Sequence, residues 1–242
     1  MSREGASVAE LAELTHINRT TLYRILATLE RDGYLTRTLT THDYRLTPKV
    51  RRLSDGYTDS LWITQVATPT LVQLLRDTAW PGSLATFDGR HMVLRESTHR
   101  FSSFFVHRPT VGCAMPLSTS LGQAFLAFSS PSIRRPLLVH FISDWKASGY
   151  GTLSTAAAEA FLARVRSRGY ATAVDSIQRG VAAIASPIVF HDQVLACINV
   201  TTTPEVFRTA KLLAPIKEAL GAAIHNVEKK LHTGGLSADP AC

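Results

Sequence analysis

The sequence predicts an α+β protein of two unequal domains, and three observations carry that expectation. The chain is 242 residues long, whereas a single hydrophobic core usually stops growing at about 100 to 200 residues. Apolar residues recur at helical spacing in some stretches and cluster in pairs of short strands in others. Strand hairpins with helices between them, rather than alternating strand–helix–strand units, predict an antiparallel sheet with flanking helices. With 45% hydrophobic and 19% charged residues, the chain can bury a sizeable core and lacks the composition of a disordered segment.

Ser7 with Glu10 three residues on has capping-box spacing, and Val8, Leu11, Ala12 and Leu14 give the helix that follows an apolar face. After a tight turn at 16–18, Leu22, Ile25, Leu26 and Leu29 predict a second helix with that face inward and Gly33 as its stop. Residues 34–37 and 44–47 read as strands around the polar loop 39–43, a hairpin wing, so residues 1–47 form a winged helix-turn-helix. Only six residues precede Ser7, too few for the first of the three helices on which such a domain is normally built. That helix is therefore expected to be missing, with an upstream start as the favoured source.

A linker helix is expected over 48–65 and the larger domain over 66–232. Pro69 suits the first turn of a helix capped by Thr68. Strands follow at 84–87 and 92–97 around the turn dipeptide Asp88-Gly89, with a third at 104–107. Helices are expected at 118–128, 133–142 and 154–168, strands at 182–190 and 194–201, and a last helix with Leu213, Ile216, Leu220, Ile224, Val227 and Leu231 on one stripe. The small polar tail 233–242 reads as disordered.

The net charge of +7 favours an anionic partner. The surplus is denser at the front, where residues 1–52 carry nine basic against six acidic side chains. On the second helix the outward positions hold Arg19, Thr20, Thr21, Tyr23, Arg24 and Thr28, guanidinium, hydroxyl and phenol groups able to bond base edges and phosphates. Arg37 and Arg45 at the base of the wing extend that surface, and double-stranded DNA is the partner it suits. The bland alternative is a helical hairpin with a solvated polar face.

Other chemistry finds little support. The three cysteines form no Cys-x-x-Cys pair, no histidine has His-x-x-x-His spacing, and Ser118-Thr119-Ser120-Leu121-Gly122 lacks the Gly-x-Ser-x-Gly elbow. No metal, no cofactor and no catalysis are expected. The tryptophans read as packing anchors. Without a leader or a long apolar run, a cytoplasmic, membrane-free protein is expected. His99, Arg100, His107 and Arg108 form a second polar cluster that reads as solvent-facing, with an anionic ligand as the alternative.

The chain resembles IclR-type transcription regulators over nearly its full length. The residues that carry the resemblance are 7–12, 20–29, Gly33-Tyr34-Leu35, Tyr44-Arg45-Leu46, Pro116-Leu117 with 122–127, Arg168-Gly169-Tyr170, 184–188 and Ile198-Asn199-Val200. Lys49-Val50-Arg51, Trp80-Pro81 and 98–102 resemble most closely the members that activate hydroxyphenylpropionate catabolism. The resemblance implies a GAF-like effector domain, homodimers or homotetramers, an operator in DNA, and a small organic acid effector. It places that acid at Ser120 and Leu121, Ala183, Asn199 and Thr201, where a helix N-terminus and polar side chains suit a carboxylate. Some relatives have an acidic residue in the pocket where this chain has Ala173, with Asp175 two positions on, so a ligand other than a small keto acid is expected. The alternative reading is an effector-binding or interaction protein with little DNA affinity because the first helix is absent.

Overall fold

A computed structural model describes residues 5–38, 42–50, 62–102 and 110–233. The chain divides into two compact units, Met1–Thr58 and Asp59–Cys242. The expected third strand at 104–107 and nearly all of the polar tail lie outside the described residues.

In the first unit, α1 (Val8–Thr15) and α2 (Arg19–Arg31) are followed by the antiparallel strands β1 (Leu35–Arg37) and β2 (Tyr44–Leu46). Both arms of the capping box form, since the Glu10 carboxylate accepts the Ser7 N–H at 2.8 Å and the Ser7 hydroxyl caps the Glu10 N–H. Those bonds hold the Glu10 carboxyl below its ordinary value, the Ser7 backbone N–H most of all. Asn18 caps α2 by accepting the Thr20 N–H at 2.9 Å, and His16 turns the chain in the left-handed region at φ 55°. The small core is Leu22, Leu26 and Tyr44, against which Val8, Leu11, Ala12, Ile17 and Leu35 pack. Ile25 and Leu29, expected to face inward, are exposed, because the hairpin α1–α2 and the wing cover only the flank centred on Leu22 and Leu26.

Most of the expected linker helix over 48–65 lies outside the described residues. Residues 48–50 make a single turn closed by the Val50 N–H on Thr47 O, and 51–61 lie outside the described residues. The chain then enters a π-helical turn, Ile63–Ala67, that runs without a break into α3 (Thr68–Thr78). Thr68 is thus inside a continuous helix and caps nothing; its hydroxyl donates to Ile63 O at 3.0 Å. The turn at 48–50 is tied to the end of α2 by Lys49 Nζ on Asp32 O and Thr47 Oγ on Gly33 O, within the first unit.

The larger unit continues with β3 (Gly82–Phe87), β4 (Met92–Ser97), a 3-10 turn at His99–Phe101, β5 (Ala114–Met115), α4 (Ser120–Phe128), α5 (Pro131–Ala147) and α6 (Thr155–Arg168). After these come β6 (Ala171–Val174), β7 (Ala182–Phe190), β8 (Gln193–Thr202), α7 (Pro204–Arg208) and α8 (Ala210–Thr233). The six strands form one antiparallel sheet in the order β5-β4-β3-β8-β7-β6. Each face buries its own core. Leu71, Leu74, Leu84, Ile198, Val200 and the α8 stripe from Ile216 to Leu231 fill one, while Leu94, Leu117, Leu126, Phe141, Leu162 and Cys197 fill the other. Trp62 belongs to the first core and Trp80 packs against it; Trp145 packs against the second.

Asp88-Gly89 makes the turn expected of it, with Asp88 Oδ1 accepting the N–H groups of Arg90 and His91 at 2.8 and 2.7 Å. The His91 N–H in particular holds the Asp88 carboxyl below its ordinary value. A carboxyl lowered in the folded state stabilises above its unfolded value, about 3.9, and that contribution is lost as pH falls through the folded value. Asp88→Ala is therefore expected to be less stable than the unchanged chain at pH 7, with the difference shrinking as pH falls below about 3.9, as read by urea unfolding at neutral and acid pH.

Candidate functional site

Two surfaces carry side chains suited to recognition. On α2, at 3.6 residues per turn, Arg24 lies opposite the buried Leu22 and Leu26, with Thr20, Thr21, Thr28 and Arg31 beside it; all are exposed. Arg19 and the half-exposed Tyr23 stand nearer the buried flank. The Thr28 hydroxyl donates to Arg24 O at 2.9 Å, so its hydrogen is spent within the helix. On the wing, Arg37 donates from Nε to His42 O at 3.3 Å and stacks on Tyr44 at 5.6 Å, whereas Arg45 is exposed on β2. Arg31, which pairs with Asp32 at 3.2 Å, joins this basic face and was not among the expected residues.

The second site is a cavity of about 510 Å³ in the larger unit, between the sheet and α4. Its floor is a row of side chains running across the strands: Ser83 on β3, Asn199 and Thr201 on β8, Ala183 on β7 and Ala173 on β6. The polar members lie on the β3 and β8 side and the alanines leave room on the other. Ser120 and Leu121 at the start of α4 close the roof. Thr119 caps that helix by accepting the Gly122 N–H at 3.3 Å, so the N–H groups of Ser120 and Leu121 have no protein partner among the described residues. The helix start is fixed from below: Leu117 N–H donates to the Asp144 carboxylate at 2.7 Å, and Ser118 Oγ meets Ser148 Oγ at 2.8 Å. Leu94, Met115, Ile177 and Val181 supply apolar wall.

Thus Ser120, Leu121, Ala183, Asn199 and Thr201 meet around one space, and two other expected residues do not join them. Asp175 lies off the wall; its carboxylate accepts the Gly180 N–H at 2.7 Å and shapes the left-handed turn at φ 56°. Arg100 is exposed, 4.0 Å from Glu96 and stacked on Phe101. His99, expected to face solvent, is instead 3% exposed and lines the cavity, because the 3-10 turn folds its imidazole under β3. His107 and Arg108 lie outside the described residues. Ser83, Met115, Asp144 and Ser148 were not expected here; no period or motif distinguishes them from ordinary sheet and helix residues. Burial raises the thiol of Cys113, also on the wall. The segment 175–181 is moored by Tyr150, whose hydroxyl donates to Val174 O at 2.5 Å while Tyr150 O accepts Trp145 Nε1–H.

A basic helix-turn-helix in one unit suits DNA, and a partly polar cavity in the other suits a small ligand. The comparisons with known proteins go further. The bacterial transcriptional regulator IclR C-terminal family matches residues 55–229 and the IclR helix-turn-helix domain matches residues 2–39. The chain belongs to the IclR family of DNA-binding transcription regulators, and the relatives it matches are regulators rather than enzymes. It is 25% identical over 224 residues to the DNA-binding transcriptional repressor YiaJ of Escherichia coli (strain K12), covering 90% of this chain and 79% of that one. It is 26% identical over 199 residues to the p-hydroxybenzoate hydroxylase transcriptional activator of Acinetobacter baylyi, covering 78% and 70%. An IclR homolog from Microbacterium hydrocarbonoxydans, solved in complex with 4-hydroxybenzoate, shares the fold with a TM-score of 0.73 at 22% identity, covering 94% of this chain and 92% of that one. Among the described residues no helix is long and apolar enough to cross a membrane, and no group of His, Cys, Asp or Glu could hold a metal ion.

Proposed function

We propose that this regulator controls a catabolic operon in response to an aromatic carboxylic acid, of which hydroxybenzoates and hydroxyphenylpropionates are the leading candidates. The observation that carries the reading is the cavity's division of labour. Unpaired N–H groups of Ser120 and Leu121 and the positive end of α4 suit a carboxylate, while Leu94, Met115, Ile177 and Val181 suit a ring. Asn199 and Thr201 offer directional bonds from the floor. No lysine or arginine lines the space among the described residues, so the backbone amides are the anion-binding groups. A relative named as the transcriptional activator of p-hydroxybenzoate hydroxylase and a homolog solved with 4-hydroxybenzoate support an aromatic acid. Acid binding in a homodimer or homotetramer would shift the population of arrangements that fit an operator.

The test is a thermal-shift screen of benzoate, 4-hydroxybenzoate, 3-(3-hydroxyphenyl)propionate and pyruvate, followed by calorimetry. A ligand that binds only the folded state raises the melting temperature. Thr201→Val keeps the shape of a side chain whose hydroxyl is bonded to no protein group among the described residues, so folding should be unaffected. It is expected to weaken the best acid by about 1 kcal/mol, roughly fivefold. No melting shift from any aromatic acid, or unchanged affinity in Thr201→Val, counts against the site.

A further inference from the structure

Behind the cavity floor, three buried side chains make a connected chain of hydrogen bonds. Ser83 Oγ donates to Ser97 Oγ at 3.2 Å, and Ser97 Oγ lies 2.9 Å from His99 Nδ1. Ser83 Oγ is itself 3.4 Å from the same nitrogen. Ser97 Oγ also accepts the backbone N–H of His99 at 3.3 Å. Ser83 and His99 line the cavity and Ser97 sits behind them.

Bond counting fixes how protons are arranged here. A hydroxyl donates one hydrogen and accepts at two lone pairs. With Ser97 Oγ accepting from Ser83 and from the His99 N–H, its own hydrogen is left for Nδ1, and in that arrangement Nδ1 is the acceptor nitrogen of a neutral imidazole. Ser83 has spent its hydrogen inside the wall and presents lone pairs to the cavity. Protonating His99 reverses every link. Nδ1–H then donates to Ser97, Ser97 donates to Ser83, and Ser83 turns its hydrogen toward the ligand. Within the Ser83–Ser97–His99 chain two hydrogen bonds form in either state, and the polarity presented at Ser83 changes.

We propose that Ser83, Ser97 and His99 form a relay that reads the effector's second polar group, accepting from a ligand hydroxyl when the imidazole is neutral and donating to a ligand acceptor when it is protonated. The inference rests on the aromatic-acid reading of the cavity and adds to it which distal substituent is preferred. The relay opens on the same cavity as Ser120 and Leu121 but from another element, Ser83 on β3, one strand beyond the strands that α4 covers. An acid held at the start of α4 would therefore meet Ser83 with a group other than its carboxylate. Asn199 Oδ1 accepts the Ser83 N–H at 2.9 Å and holds that residue in place.

Other titratable or charged groups near the relay are few among the described residues. Asp144 and Cys113 are on the cavity wall, with the Asp144 carboxylate engaged by Leu117 N–H and the thiol raised by burial, and Glu96 with Arg100 flank His99 on its own strand and turn. Histidine is the side chain whose charge ordinarily changes between about pH 5 and 8, so the comparison is made at pH 5.5 and 8.5. A phenol, near 10, keeps its hydrogen throughout.

The experiment titrates the full chain by calorimetry with 4-hydroxybenzoate, 4-methoxybenzoate and benzoate at pH 5.5 and 8.5. At pH 8.5 the hydroxy acid is expected to bind about tenfold more tightly than the methoxy acid, and at pH 5.5 this ratio should fall at least threefold. Ser83→Ala should bring the ratio near one at both pH values, and His99→Gln should make it independent of pH. The wild-type pH comparison needs no substitution and stands even if His99→Gln misfolds. Binding of these acids with a pH-independent ratio in the wild type, or an unchanged ratio in Ser83→Ala, overturns the relay and leaves the aromatic-acid reading intact. No binding by any of the three acids overturns both.

Discussion

Replacing Gly122 by alanine is expected to lower the main thermal transition by about 6–12 °C, while the same change at Gly221 raises it slightly. Both glycines lie within helices, α4 and α8, where alanine is intrinsically favoured by about 0.5–1 kcal/mol. Their surroundings decide the sign. A Cβ on Gly122 would stand 2.3 Å from Leu117 Cα and 2.5 Å from Leu117 O, backbone atoms that cannot rotate aside, whereas nothing lies within 4 Å at Gly221. Overpacking of a filled core costs about 1–3 kcal/mol, and a clash with main chain belongs at the upper end or beyond. At about 2–4 °C per kcal/mol for a domain of this size, 3 kcal/mol gives the stated drop. The same clash would push the start of α4 off the turn at 116–118, so effector binding should fall with stability in Gly122→Ala and be unchanged in Gly221→Ala. Differential scanning calorimetry of both variants is the check; equal shifts would mean the close approach of α4 to Leu117 is wrong.

The contrast between these glycines also shows where the sequence was legible. Periodicity located α2, α4, α6, β4, β7 and the α8 stripe, because each is a run of local rules: a cap, a repeat of 3.6 or 2, and a Gly or turn to stop it. The short β5, β6 and α7 were invisible, since two to five residues set by their neighbours carry no period of their own. The positions 120, 121, 183, 199 and 201 came from resemblance, not from residue chemistry, and converge because the β7–β8 hairpin and α4 bring distant segments over one floor. His99 and Arg100 show the limit most plainly. Adjacent and both polar in the sequence, they are turned by one 3-10 turn into a buried wall and an exposed guanidinium beside Glu96. Asp175 is a related case, since its carboxylate satisfies a loop N–H that only the folded turn presents.

For DNA recognition, Arg24→Ala is expected to weaken binding to a mapped operator by about 1–3 kcal/mol, roughly 5- to 150-fold, and Arg208→Ala by less than twofold. Arg24 stands opposite the Leu22 and Leu26 anchor, so it is the side chain that α2 presents farthest from its own core. No side-chain hydrogen bond or ion pair holds its guanidinium among the described residues, leaving a flat fork able to meet guanine O6 and N7. Arg208, at the end of α7 in the larger unit, is equally exposed and equally charged, and controls for the loss of one positive charge. Arg45→Ala gives a third outcome. On the wing it suits a phosphate rather than a base, so its loss should weaken specific and random DNA alike and reduce the salt slope by about one unit. Arg24→Ala should instead spare random DNA and erase preference at one base pair. Fluorescence anisotropy with operator and scrambled duplexes at 50 and 200 mM salt separates the three. Equal losses for Arg24→Ala and Arg208→Ala on the operator would remove α2 as the reading helix.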